Sequence, residues 1–138
     1  MEKGREYIST LVKNKFGSRI RVRLSRIWNV GTDAKDEKDL GLDAVAIDEK
    51  GDVIHIVMER KYAQIHRKNL KEGQIYTITD FGCVQSLNYR PVSSNIRIRV
   101  NGATKFLLES ENVVSFLFRK DFREDRFHLS KVYKNGKA

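Results

Sequence analysis

Residues 19–30 read Arg-Ile-Arg-Val-Arg-Leu-Ser-Arg-Ile-Trp-Asn-Val. Arginine and an aliphatic residue alternate three times, the period of a β-strand with one buried face. Ile20, Val22 and Leu24 take one side; Arg19, Arg21 and Arg23 take the other. A solvated face needs polarity but not three like charges, which repel one another across a strand. An anion is therefore expected opposite them, either an acidic neighbour within the protein or a ligand. The alternation breaks near Ser25. Continued in phase from Leu24 it turns Arg26 inward, whereas Ile27, Trp28 and Val30 are the apolar residues. A one-residue slip of this kind is what a β-bulge supplies, and it bends the strand.

Outward from this strand, residues 5–14 read as a short helix or turn with Tyr7, Ile8 and Leu11 on one side, and residues 31–41 as an acidic loop. Leu42–Asp48 and Asp52–Met58 are two strands joined through Glu-Lys-Gly, a hairpin signal. Residues 60–71 have helical spacing, with Tyr62, Ile65 and Leu70 expected inward and Gly73 as the stop. Gln74–Val84 is a fourth strand, and 88–95, with the sole proline, is a loop. Residues 95–100 repeat the opening pattern: Ile96, Ile98 and Val100 one way, Arg97 and Arg99 the other. Asn101-Gly102 then turns the chain into Lys105–Leu108.

Charge follows the same division. The 138 residues carry a net charge of +9, which favours polyanionic partners. No acid occurs from Tyr7 to Thr32, where Lys13, Lys15, Arg19, Arg21, Arg23 and Arg26 lie. None occurs from Phe81 to Leu108, which holds Arg90, Arg97, Arg99 and Lys105. Between these windows lie Asp33, Asp36, Glu37, Asp39, Asp43, Asp48, Glu49 and Asp52. If the two basic strands share a sheet, they form one patch. No stretch approaches the ~18 apolar residues of a membrane helix, and the charged opening Met-Glu-Lys-Gly-Arg-Glu-Tyr lacks the apolar core of a signal peptide. Cys83 is the one cysteine, expected as a small buried hydrophobe; no internal disulfide is possible, and a reducing compartment fits. With His55, His66 and His128 scattered, no structural zinc motif is present, and no cofactor or metal is expected.

The order strand, strand, strand, short helix, strand, strand is the plan of a mainly β fold, a five-stranded OB barrel with its helix between strands three and four. Residues 1–110 make this domain. Residues 111–138 are expected as a charged extension that packs back through Val113, Val114, Phe116, Leu117 and Phe118 and then continues as a mobile tail.

The carrying pieces Arg21-Val22-Arg23-Leu24-Ser25-Arg26-Ile27-Trp28, Asp48-Glu49-Lys50-Gly51-Asp52-Val53-Ile54, Leu70-Lys71-Glu72-Gly73-Gln74-Ile75-Tyr76-Thr77-Ile78, Phe81-Gly82, Asn88-Tyr89-Arg90 and Thr104-Lys105-Phe106 agree in order and spacing. In this pattern, over roughly residues 5–110, the chain resembles the DNA-binding OB domains of the large subunit of replication protein A, in particular its plant-type paralogues. The resemblance implies a nuclear protein that binds single-stranded DNA, with RNA as the other candidate strand, and works in replication, repair or recombination. Other replication protein A subunits are implied partners, and a membrane is not. Single strands are held by a basic groove plus aromatic platforms. Arg21, Arg23, Arg97 and Arg99 would supply the groove, with Arg26, Arg90 and Lys105 as further cations. Tyr89 falls where the family stacks a base, the second stacking position falls near Met58, which offers no ring, and Phe81 faces either cleft or core.

Plainer readings compete. The arginines are solvated or paired with Asp43, Asp48 and Glu59; Tyr89 packs locally; Trp28 belongs to the core. A protein-interaction OB domain holding an acidic peptide fits the same basic groove, and the missing ring at Met58 favours it. Finally, Asp43 followed by Glu59-Arg60-Lys61 at a strand end matches the spacing of Mg²⁺-dependent nucleases, where two carboxylates hold the metal and a lysine positions water. That core also needs a helix on each side of its sheet, and it leaves the arginine strands without a role. The expectation is a protein that is not an enzyme.

Overall fold

A computed structural model describes residues 5–31, 40–88 and 90–109. The first strand, β1 (Arg19–Val30), forms where the alternation placed it and pairs antiparallel with β2 (Gly41–Asp48). The register runs Arg23↔Ile47, Leu24↔Ala46, then Arg26↔Val45, so Ser25 is the extra residue. Because β2 keeps its own alternation, this single bulge returns Arg26 to the side of Arg23. It also turns Ile27 inward, opposite Ala44 and against the core, and sends Trp28 outward opposite Asp43.

β3 (Val53–Met58) completes a hairpin with β2. The buried Asp48 carboxylate fastens its turn, accepting from the N–H groups of Lys50 at 3.0 Å and Asp52 at 3.1 Å. It also accepts from Ile8 N–H at 2.9 Å, tying down a 3₁₀ turn at Ile8–Thr10 whose Ile8 and adjoining Leu11 are buried.

α1 (Arg60–His66) follows, with a 3₁₀ turn at Arg67–Asn69. Ala63 and Leu70 are buried and Tyr62 packs on the core, but Ile65, expected inward, is 62% exposed. The helix is only seven residues long and tightens at Arg67, whose guanidinium donates to Leu40 O (3.0 Å) and Asn29 Oδ1 (2.9 Å). The face so fixed runs through Tyr62, Ala63 and Leu70.

The remaining strands are β4 (Ile75–Thr79), β5 (Gly82–Gln85), β6 (Ile96–Arg99) and β7 (Lys105–Leu108). Among the described residues the five-stranded barrel is therefore corrected to seven strands in the order β5-β6-β3-β2-β1-β4-β7, with no hydrogen-bonded closure between the end strands. The expected 74–84 strand is broken at Asp80, a left-handed residue (φ 58°) whose N–H bonds Ser18 O. The turn expected at Asn101-Gly102 separates β6 from β7 and is closed by its own side chains: Ala103 N–H donates to Asn101 Oδ1 (2.8 Å) and Asn101 N–H to Thr104 Oγ1 (2.9 Å). Thr104 Oγ1 donates in turn to Asp80 O (3.1 Å), so the break and the turn are pinned together. The parallel β3–β6 pair and the β4–β1 pair carry the sheet around, and the end strands β5 and β7 are the covalent continuations of β4 and β6.

Inside the curled sheet lies the main core, including Ile20, Val22, Leu24, Ala44, Ile54, Ile56, Met58, Ile78, Phe81, Cys83 and Ile98. Each large aliphatic side chain buried there contributes about 1.5–3 kcal/mol. Burial pushes the Cys83 thiol up to about 11, so it stays protonated at neutral pH.

Candidate nucleic-acid interface

Cross-strand partners share a face of a sheet, so the register alone lays out the outer surface. Arg97 on β6 is level with His55 on β3, His55 with Val45 on β2, and Val45 with Arg26 on β1. The next row reads Arg99, Val57, Asp43, Trp28, and the row on the other side Val53, Ile47, Arg23, Ile75. Arg21, level with Thr77, extends the patch beyond it. The two arginine strands thus flank β3 and β2 on one face, about 14 Å apart at three strand spacings. The strands 2–3 face is where OB folds take oligonucleotides, between the loops that border it.

These cations are mostly unclaimed. Among the described residues no acid lies within ion-pair distance of Arg21, Arg26 or Arg97, and the Nε atoms of Arg21 and Arg97 are buried without a partner. At Arg99 the guanidinium meets Glu59 at 2.8 Å, with both side chains half in solvent. Asp43 is taken by His55 (2.7 Å), and Asp48 by the hairpin turn.

The centre of the face is covered. The loop between β5 and β6 lays Val92 over it, buried in a second, outer cluster with Trp28, Val45, Ile47 and Ile75. Trp28 lies flat on His55, with ring centroids 6.1 Å apart and planes 10° apart. The loop is closed at its base by Ser86 N–H to Asn95 O (2.9 Å) and Ser86 Oγ to Ser94 O (2.7 Å). Arg90, within it, donates to Leu87 O (2.8 Å).

Several expected site residues are relocated. Met58 and Phe81 sit in the inner core, at 2% and 0% exposure, and neither presents a surface to a base. Phe81 is drawn inside because the break at Asp80 reverses its side. Tyr89 and the acidic residues Asp33, Asp36, Glu37 and Asp39 lie outside the described residues, as does the 111–138 extension. Lys105, level with Thr79, lines a separate groove of about 560 Å³ with Arg19, Thr77 and Leu107, away from Arg97. The nuclease constellation is dispersed: Asp43 holds His55, Glu59 holds Arg99, and Lys61 lies over the Tyr62 ring at 5.1 Å. Among the described residues no three His, Cys, Asp or Glu side chains are placed to hold a metal ion. One residue the sequence reading missed is Phe16, an exposed ring lying over Gly82; its signal was an aromatic set between Lys13, Lys15 and Arg19.

The model of the family described as a domain of unknown function, DUF223, matches residues 9–123. The chain belongs to the DUF223 family. That match continues past residue 110, where the OB domain was expected to end. No curated protein matches the chain in sequence. In fold, this DUF223 chain is similar to the OB domain of a Methanosarcina mazei protein, with a TM-score of 0.60, 16% identity, and coverage of 80% of this chain and 88% of that one. It is similar to a chain of a replication protein A heterotrimer bound to single-stranded DNA (TM-score 0.63, 13% identity, 78% of this chain), of which it spans a quarter, 25%. A third likeness is Schizosaccharomyces pombe Pot1pC bound to the single-stranded DNA CGGTTACGGT: TM-score 0.59, 8% identity, 99% of this chain and 100% of that one. At these identities the likeness establishes the OB fold.

Proposed function

We propose that this DUF223 domain binds single-stranded DNA without catalysing a reaction, along the outer face of its OB sheet. The observation that carries this reading is the convergence of Arg21, Arg26 and Arg97 on that face with no acid of the described residues within ion-pair distance. Guanidiniums held half-buried and unpaired keep their affinity for phosphate, and a single strand needs such a basic track. The replication protein A and Pot1pC structures, both bound to single-stranded DNA, support the choice of ligand. By the same reading the domain is one module of a nuclear, replication-protein-A-like assembly of the plant type, acting in DNA replication, repair or recombination.

A second reading is favoured by one contact. Arg99 already holds the Glu59 carboxylate, so the face accepts acidic side chains, and an acidic peptide is the competing ligand. Fluorescence anisotropy with a labelled single strand, competed by duplex of the same length, by the matching RNA and by a poly-glutamate peptide, separates these. The strand is expected to resist the duplex and the peptide; displacement by the peptide at equal charge would overturn the proposal.

A further inference from the structure

We propose that Phe16 is a base-stacking platform at the β6 edge of this face, taking a nucleobase of a strand whose phosphates lie on Arg97 and Arg99. The inference rests on the reading that the arginine face holds single-stranded DNA, and it names a residue that supplies the missing ring.

A basic track alone does not distinguish a single strand from a duplex; accessible rings do, because only unpaired bases offer their faces. Of the two stacking positions implied by resemblance, Met58 is in the core and offers no ring, and Tyr89 lies outside the described residues. Trp28 is sealed between His55 and the 86–95 loop, and Tyr76 and Phe81 are buried. Tyr7, Tyr62 and Phe106 are only partly accessible; Tyr7 lies under the Lys50 ammonium at 4.2 Å, and Tyr62 and Phe106 pack on the core. Phe16, at 70% exposure, is the one exposed aromatic ring among the described residues.

Its position is specific. Gly82 on β5 is level with Arg99 on β6, and its neighbour Cys83 points into the core, so a side chain at 82 would point to the outer face. A Cβ built there meets Phe16 Cε1 at 3.2 Å and Cδ1 at 3.7 Å. The ring therefore rests on the bare backbone of Gly82, beside Arg99, where glycine leaves room for it. The backbone before it is anchored by Asn14 N–H to Cys83 O (2.8 Å), and Gly17 takes a positive φ of 74° just after it. A ring held from below, open above and one strand from Arg99 has the arrangement of an aromatic platform beside a phosphate track.

The test compares Phe16→Ala, Phe16→Leu and Phe16→Tyr in binding to oligo(dT) and to an oligonucleotide of equal length carrying abasic positions. Both non-aromatic variants are expected to lose roughly tenfold in affinity for oligo(dT), and Phe16→Tyr to restore it, with the salt slope unchanged. The loss is expected to vanish on the abasic strand, and ultraviolet crosslinking to oligo(dT) to mark the peptide containing Phe16. Phe16 projects into solvent, so unchanged melting curves show that the variants fold. Wild-type affinity in Phe16→Leu, while Arg97→Ala weakens binding, overturns the platform and leaves the proposed function standing. No preference of the wild type for single strands over duplex overturns both.

Discussion

The outer face of the sheet has a centre and two flanks built from the same alternating strands, and they are put to opposite uses. In the centre, Trp28, Val45, Ile47 and Val92 exclude water, and the Asp43–His55 pair is sealed beneath them. On the flanks, Arg21, Arg26 and Arg97 stand half-buried with no acid of the described residues within ion-pair distance. The centre behaves as a second small core in which His55 Nε2 holds the Asp43 carboxylate. The flanks leave charge unsatisfied, which is tolerable only where water or an anion completes it. The contrast separates residues that hold the fold from residues available to a ligand, although both project from one surface.

The largest expected effect comes from removing the flanks. Arg21→Ala, Arg26→Ala and Arg97→Ala together should weaken single-strand binding by orders of magnitude and lower the salt slope by roughly two, at about 0.7 per lost phosphate contact. The melting temperature should barely move; titrations over a range of ionic strength and a thermal melt check both halves. Next comes the centre. Val92→Asp places a carboxylate in the outer cluster and should cost about 2–4 kcal/mol of stability. The fluorescence of Trp28, the one tryptophan, should shift to the red as the loop lifts. A red shift without loss of stability would show that the loop contributes nothing to the fold.

Smaller effects follow. Glu59→Gln releases Arg99 from an exposed ion pair worth about 0–1 kcal/mol, and should tighten single-strand binding a few-fold while steepening its salt dependence. The nuclease reading requires instead that this variant abolish Mg²⁺-dependent cleavage, so one protein preparation tests both. The smallest effect is a pH dependence. Burial against Phe106, edge-on at 4.9 Å, holds the His66 imidazole below its ordinary 6.5. The unfolded chain therefore binds the proton more readily than the native one, and stability, complete above 6.5, should fall as the pH drops through the native value. Melts across this range, with His66→Gln as the flat control, read it directly.

Much of this was legible in the sequence. The alternation of residues 19–24 and its slip at Ser25 gave β1 and its bulge, and the matching Arg97/Arg99 strand gave the second flank. Both signals are local, since a period of two and its interruption are visible without knowing the partner strands. The turn at Asn101-Gly102 was legible, but the break at Asp80 was not, because it depends on a left-handed residue and on a Thr104 contact made across the sheet. The same dependence misassigned Met58 and left Phe81 open between cleft and core, since the facing of both is set by which strand they meet. Ile65 was misplaced because the helix is too short to establish a full apolar stripe. The covering of the centre by Val92 is a tertiary contact with no sequence period at all.

The measurement that bears most directly on the central claim is a residue-resolved NMR titration of the domain with a short single-stranded DNA. The account predicts shifts concentrated on the guanidinium and backbone resonances of β1 around Arg21–Arg26 and of β6 around Arg97–Arg99, reversed by salt, with Trp28 and Val92 little moved. Shifts confined to other surfaces, or equal shifts with duplex DNA, would contradict it.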